Sequence, residues 1–391
     1  MGYSDRITGL AGGGAAWDVF FRAQRMAAAG EELTMLTIGE PDIGTAPAIL
    51  DAMHKAAEAG NTGYASIPGI AHLRETVARR VAARTGVETA PENVMITPGG
   101  QPALFATHAL ALDPGQTGLY LDPFYSTYPG TIRGVGGVPV AVATRAEDGF
   151  LPRAADLAAA IAAHDAKSLL INSPNNPTGV VYPEATLAEI AGVVREAGIW
   201  LISDEVYDTQ IWDGSHVSPR SLPGMAERTL VIGSLSKSHA MTGSRVGWVI
   251  GPDEAIAHLG NLAIHTTFGV PGYIQEAAAF ALTQGPEFEA ELAAPFRRRR
   301  EAALRLIGAQ NILRHAPAQG AMYLLLDIRA TGLSGQDFAE RLLDAERIAV
   351  MPGESFGQAA AGHVRVAMTV ADDLFEDALA RLIAFAGELA A

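Results

Sequence analysis

The chain has 391 residues, 49% hydrophobic and 18% charged, too apolar for a disordered polymer and too long for one ordinary core. Its 28 basic and 43 acidic residues give a net charge of −15, a surface that repels phosphodiester backbones and argues against a nucleic-acid partner while leaving room for a local basic pocket. It has no cysteine, which excludes disulfide scaffolds, thiolate zinc sites and thiol nucleophiles, and no metal is expected.

The N-terminus, Met1-Gly2-Tyr3-Ser4-Asp5-Arg6, lacks an apolar core followed by a small-residue cleavage site. No stretch approaches the ~18 apolar residues needed to span a bilayer. The expectation is a cytoplasmic protein with no membrane partner. Helical spacing over 17–29 ends at Gly30, and a short strand over 34–38 is broken by Gly39-Glu40-Pro41-Asp42. Helices are predicted over 46–59, closed by Gly60, and over 70–85, closed by Gly86. A strand over 93–97 meets Pro98-Gly99-Gly100, and a helix follows with Pro102 in its first turn. Strands are then predicted over 118–121, 168–172, 200–203 and 229–234, with a helix over 183–197. This alternation implies βαβ units and a mostly parallel sheet. Residues 208–228 show no clear helix, so one crossover is irregular. The pattern changes near Gly285-Pro286. A long helix over 286–309 carries Arg297-Arg298-Arg299-Arg300, which reads as a solvated face. Strands over 321–328 and 363–368 and a helix over 371–389 close the chain. We expect a large domain at 46–284 and a smaller one that combines 1–45 with 285–391.

In open parallel sheets, ligands collect beyond the C-terminal ends of the strands. Asn176, Asp204 and Lys237 each sit at or just after such an end, and Gly99-Gly100-Gln101 sits similarly. Taken singly each has a bland reading: an exposed lysine, an aspartate cap, a plain glycine turn. Together they place four polar groups on one sheet edge. A lysine held beside positive charge and out of bulk water can lose its proton and condense with a carbonyl. A carboxylate such as Asp204 suits the ring nitrogen of a pyridoxal, because a protonated pyridinium drains electrons from the substrate Cα. Tyr207 and Asn176 could both reach the ring's phenolic oxygen and favour its ionised form. The backbone N–H groups of Gly99-Gly100-Gln101 at a helix start, the hydroxyls of Ser234 and Ser236 and the fork of Arg245 suit a phosphate.

These residues resemble a known family. The motifs are Gly39-Glu40-Pro41-Asp42, residues 64–69 followed by Leu73-Arg74, and residues 97–104, 173–179, 204–207, 234–247, 320–323, 352–357 and 363–366. In order and spacing they resemble the class I/II aminotransferases, α/β pyridoxal 5′-phosphate enzymes of fold type I, and most of all the bacterial aspartate-aminotransferase-like branch. The resemblance covers nearly the whole chain. It implies a large domain with a mostly parallel seven-stranded sheet flanked by helices, plus a smaller α+β domain from both chain ends. It implies a ping-pong transfer of an amino group from an α-amino acid to a 2-oxo acid. Lys237 would form the Schiff base with the cofactor and Tyr125 would stack on its ring. Tyr64 would reach the phosphate in the partner subunit of a homodimer. Arg365 would clamp the substrate α-carboxylate, helped by Asn176 and the Gly39 backbone. Two positions depart from the pattern. Gln101 is neutral where aspartate-using relatives of this branch often have a lysine that helps hold the distal acid. Ser244 stands where a bulky aromatic is common. An alternative keeps the cofactor and changes the reaction to a C–S or β-elimination lyase. A DNA-binding sensor would need a basic extension, and Gly12-Gly13-Gly14 and Gly134-Val135-Gly136-Gly137 do not make a G-x-G-x-x-G dinucleotide turn after a strand.

Overall fold

A computed structural model describes residues 2–10 and 17–390. The Gly12-Gly13-Gly14 run lies outside them. Seven strands make the main sheet: β1 (Val94–Thr97), β2 (Thr117–Asp122), β3 (Val138–Ala143), β4 (Ser168–Asn172), β5 (Trp200–Asp204), β6 (Thr229–Ser234) and β7 (Gly247–Ile250). Their order is β1-β7-β6-β5-β4-β2-β3. Only β7 runs against its neighbours, so the sheet is mostly parallel, as the alternation predicts. Strands β1, β2, β4 and β6 are buried along their whole length, which is why they read as unbroken apolar runs. Edge strand β3 carries Pro139 and is largely solvent-facing, and its composition hides it.

Helices cover both faces. Gly100–Ala111 follows β1, Glu184–Ala197 joins β4 to β5, and Asp253–Ile264 and Gly272–Leu282 follow β7. The predicted helices over 46–59 and 70–85 are present as Pro47–Glu58 and Ala71–Thr85, the second closed by Gly86 in the left-handed region at φ 70°. Between β5 and β6 the only helical piece is a 3₁₀ turn at Pro219–Ser221, so the irregular crossover is real. Gly134-Val135-Gly136-Gly137 ends the helix Tyr128–Gly134 and leads into β3, so it precedes a strand rather than following one.

A second sheet is antiparallel, in the order β10-β11-β9-β8, from β8 (Arg314–His315), β9 (Tyr323–Asp327), β10 (Met351–Pro352) and β11 (His363–Ala367). It packs with the helices Asp18–Ala28, Gly285–Gly308, Gly335–Glu346 and Asp372–Ala390 around a core that includes Phe296, Phe338, Phe375, Leu342 and Leu379. Tyr207 and Trp212 reach into this core from beyond β5. Of the strand predicted over 34–38, only Thr34–Met35 pairs in a ladder, with Ile348–Ala349. Beyond it, Leu36 N–H donates to Ala349 and Ala367 N–H donates to Leu36, so the segment is held bond by bond against the second sheet.

The arginine run corrects in part the reading of a solvated face. Arg299 is 4% exposed and ion-paired to Asp42 and Asp372. Arg300 pairs with Asp213 and donates to the Ala318 carbonyl. Arg297 lies over the Trp212 ring. Arg297 and Arg298, the latter bonded to Asp372, stay exposed, so the reading of a solvated face holds for them and fails for Arg299 and Arg300. A run of like charge survives on one helix because each guanidinium finds an acid, carbonyl or ring, with Asp372 shared between Arg298 and Arg299.

Candidate active site

The register of the main sheet builds the site. Gly247 opposes Thr97 on one side and Ser234 on the other, and Asn172 opposes Asp204. The ends of β1, β4, β5 and β6 and the start of β7 therefore share one edge. A cavity of about 320 Å³ opens there. It is lined by Lys237, Asp204, Tyr207, Asn176, Ser234, Ser236, Arg245, Gly100, Gln101, Tyr125, Gly39 and Arg365. Gly99 lies just behind it. Tyr64 is not among the lining residues: it is 91% exposed and meets Phe268 edge-on at 5.1 Å.

Lys237 stands on a one-turn helix, Leu235–Ser238, which Ser234 caps by accepting from Ser236 N–H at 3.0 Å. Its Nζ donates to the carbonyl of Gly39. Asp204 closes β5 at 5% exposure. Its Oδ2 accepts from Tyr128 Oη at 2.8 Å and its Oδ1 from Val206 N–H at 3.3 Å. Burial raises its pKa to about 6, against the opposing pull of the Tyr128 bond. Burial and Asp204 itself push the Tyr128 phenol far up, so Tyr128 stays protonated and donates to the carboxylate. The carboxylate needs a cationic partner to be fully ionised, and a ring N–H⁺ is such a partner.

Gly99 has φ +92°, and a Cβ there would come within 2.4 Å of Arg245 Nη2. Arg245 itself is at φ 51° and donates to the Thr242 carbonyl at 2.8 Å. The guanidinium lies over a side-chain-free turn, beside Ser234, Ser236 and the start of the helix Gly100–Ala111, a set of donors whose chemistry suits an anion. Gln101 accepts from Thr127 Oγ1 at 3.2 Å.

At the other end, Arg365 is 3% exposed and sandwiched between the rings of Tyr323 and Phe356, 4.4 Å from each centroid. It donates to Asn176 Oδ1 at 2.9 Å and to the Thr37 carbonyl, and its Nε has no partner. Because Asn176 Oδ1 is taken, its amide nitrogen remains as the donor. Tyr207 and Tyr323 share a 2.9 Å hydroxyl–hydroxyl bond.

Sequence reasoning missed Tyr128, Trp17, Glu40 and Tyr323 as lining residues. Tyr323 lay inside a quoted motif without a role. Tyr128 stands three residues after Tyr125, but its bond to Asp204 spans 76 residues and leaves no local signal.

A buried carboxylate, a lysine and a sandwiched arginine lie on the C-terminal edge of a sheet with the architecture of the fold type I transferases. Residues 31–382 match the family model for aminotransferase class I and II, and the chain belongs to that family. It is 42% identical over 391 residues to the arginine–pyruvate transaminase AruH of Pseudomonas aeruginosa, covering 100% of this chain and 99% of that one. It is 37% identical to the aspartate/prephenate aminotransferase of Thermus thermophilus, covering 90% of each. Among solved structures, Thermus thermophilus aspartate aminotransferase with maleate superposes with a TM-score of 0.91 at 35% identity, over 98% of this chain and 100% of that one. The aspartate aminotransferase of Thermotoga maritima gives 0.92 at 29% identity, over 98% and 99%. The chain is an aminotransferase that moves an amino group between an amino acid and a 2-oxo acid.

Proposed function

We propose that this aminotransferase holds pyridoxal 5′-phosphate in the cavity at the strand ends and takes basic or neutral α-amino acids as donors. The observation that carries the first part is the meeting of Lys237, Asp204, Arg245 and Arg365 in one cavity. When bound, the cofactor supplies an aldehyde that captures the amino group and a ring that draws electrons from Cα. Asp204, kept in place by Tyr128, holds a proton on the ring nitrogen. Arg245, the two serines and the turn at Gly99 hold the phosphate. Tyr125, Asn176 and Tyr207, which line the same cavity, would help hold the ring. Arg365 binds the donor α-carboxylate with Asn176 and the Gly39 backbone, which aims Cα at the Lys237 amine. That amine would be the base that takes up the Cα proton. Tyr323 and Phe356 hold the guanidinium flat and exclude water from it.

The test is spectral. The purified protein should absorb in the visible region and lose that band with an amino donor, and Lys237→Ala should lose turnover while still binding cofactor. Transaminase activity persisting in Lys237→Ala overturns the reading. Ammonia and pyruvate released without an oxo-acid acceptor would mark a lyase instead.

Two features support the donor class. Gln101 brings no charge to hold a distal acid. Glu40, fixed by Thr242 Oγ1 at 2.7 Å, lines the cavity as an exposed carboxylate. The relative named for arginine and pyruvate agrees with this choice. In a half-reaction screen, arginine and alanine should convert the cofactor faster than aspartate. Gln101→Lys should move selectivity toward aspartate by about 10-fold, the worth of ~1.4 kcal/mol from a new ion pair. Aspartate as the best donor of the unaltered protein would remove the proposal.

We also propose a cytoplasmic homodimer, with Tyr64 reaching the partner's phosphate. No helix among the described residues is long and apolar enough to cross a membrane. The exposure of Tyr64 and Phe268 supports a partner on that face. The separate apolar cluster around Phe296 and Phe338 supports a domain division at 46–284 against 1–45 with 285–391.

A further inference from the structure

We infer that Arg299, outside the cavity, is a positioning residue that sets the two substrate-facing ends of the site relative to one another. The inference rests on the reading of Arg365 as the carboxylate clamp. Arg299 lies midway along the helix Gly285–Gly308 and is almost wholly buried. Its Nη1 and Nη2 grip the two carboxylate oxygens of Asp42, each at 2.8 Å. Nη1 also donates to the Met368 carbonyl at 2.9 Å, and Nε donates to Asp372 Oδ1 at 2.7 Å. One guanidinium thus ties three separate stretches of chain to one helix.

Two of those stretches carry the site. The segment ending at Asp42 presents the Thr37 carbonyl to Arg365 and the Gly39 carbonyl to Lys237. Met368 stands three residues beyond Arg365 at the end of β11. Besides the Arg365–Thr37 bond itself, they are joined by single bonds: Ala367 N–H to Leu36, and Thr369 Oγ1 to the Ile38 carbonyl at 2.9 Å. The fork at Asp42 is the charged, bidentate member of this set, the kind of contact that fixes orientation as well as distance. With Arg299 in place, the Arg365 guanidinium and the Gly39 carbonyl are held at a set separation. Without it, the 36–42 segment can slide along β11. A displacement on the order of 1 Å in a positioning element lowers rate on the order of 100-fold. Arg299 touches neither lysine nor clamp, so it acts only through these two backbones.

The test uses the full-length enzyme loaded with pyridoxal phosphate. Arg299→Lys keeps the charge and removes the fork. Asp42→Asn removes the charge from the other side and keeps the shape, and so serves if the arginine variant does not fold. Each is assayed in the half-reaction with an α-amino acid and with the matching amine that lacks the carboxylate. Binding of a simple monocarboxylate is measured alongside by calorimetry. The expected result is a KM for the amino acid raised on the order of 10-fold or more. Carboxylate binding should weaken in parallel, and the amine rate should stay within about two-fold. An equal loss with both donors means a structural role only, and no loss with either donor means no role; either result overturns the inference. Arg365→Met is run as a control. If it fails to separate amino acid from amine, the clamp reading falls first and the positioning role falls with it.

Discussion

Burial drives Asp204 and His108 in opposite directions, because it penalises the charged form of each. His108 sits in the helix Gly100–Ala111 at 0% exposure with neither ring nitrogen bonded, and its pKa falls from 6.5 to about 4. A lowered folded value means that the unfolded chain binds the extra proton first. The stability tied to this group is therefore whole above pH 6.5 and is lost as pH falls toward 4. Asp204 and Asp122, raised from 3.8 to about 6, run the other way: their share is whole below 3.8 and is lost as pH rises through 6. The two trends oppose each other across pH 4–6, so the unaltered protein shows a muted dependence there. Removing one member exposes the other. For His108→Leu, stability at pH 5 relative to pH 7 should rise by about 2 kcal/mol compared with the unaltered protein, read by chemical denaturation at both pH values. No such rise would mean that His108 finds a partner in solution. The unpaired ring left no trace in the sequence, since a histidine after Thr107 looks the same whether bonded or not.

At the scale of elements, the turn before the helix Gly100–Ala111 joins the proposed phosphate site to the sheet. Alanine at Gly99 would be strained at φ +92° and would push its Cβ into Arg245. Gly99→Ala should weaken cofactor retention by about 10-fold or more in an equilibrium titration, with secondary structure intact by circular dichroism. Retention equal to the unaltered protein would separate Arg245 from phosphate binding. Elements that bury both faces were legible as apolar runs, and their ends marked Asn176, Asp204 and Lys237. Strand β3 was hidden by Pro139, which an edge position tolerates. The arginine run was misread at Arg299 and Arg300 because their partners, Asp42 among them, lie up to 257 residues away along the chain.

At the scale of the whole molecule, Tyr64 and Phe268 form an exposed aromatic pair on a chain whose other aromatic residues are mostly covered. If Tyr64 serves the partner's site, a mixture of Tyr64→Ala and Lys237→Ala subunits assembles one intact site in each hybrid dimer. Random reassortment should then restore about a quarter of full activity, above the mean of the two variants assayed apart. Activity at or below that mean would place Tyr64 in its own subunit's service. The sequence by itself determined which strands lie buried and which polar groups end them, because a strand covered on both faces admits little but apolar residues until it leaves the sheet. Only the tertiary structure decided that Tyr128 holds Asp204, that Tyr323 and Phe356 flatten Arg365, and that Arg299 binds Asp42 to β11. Those contacts join segments that share no periodicity and meet only after the chain has folded.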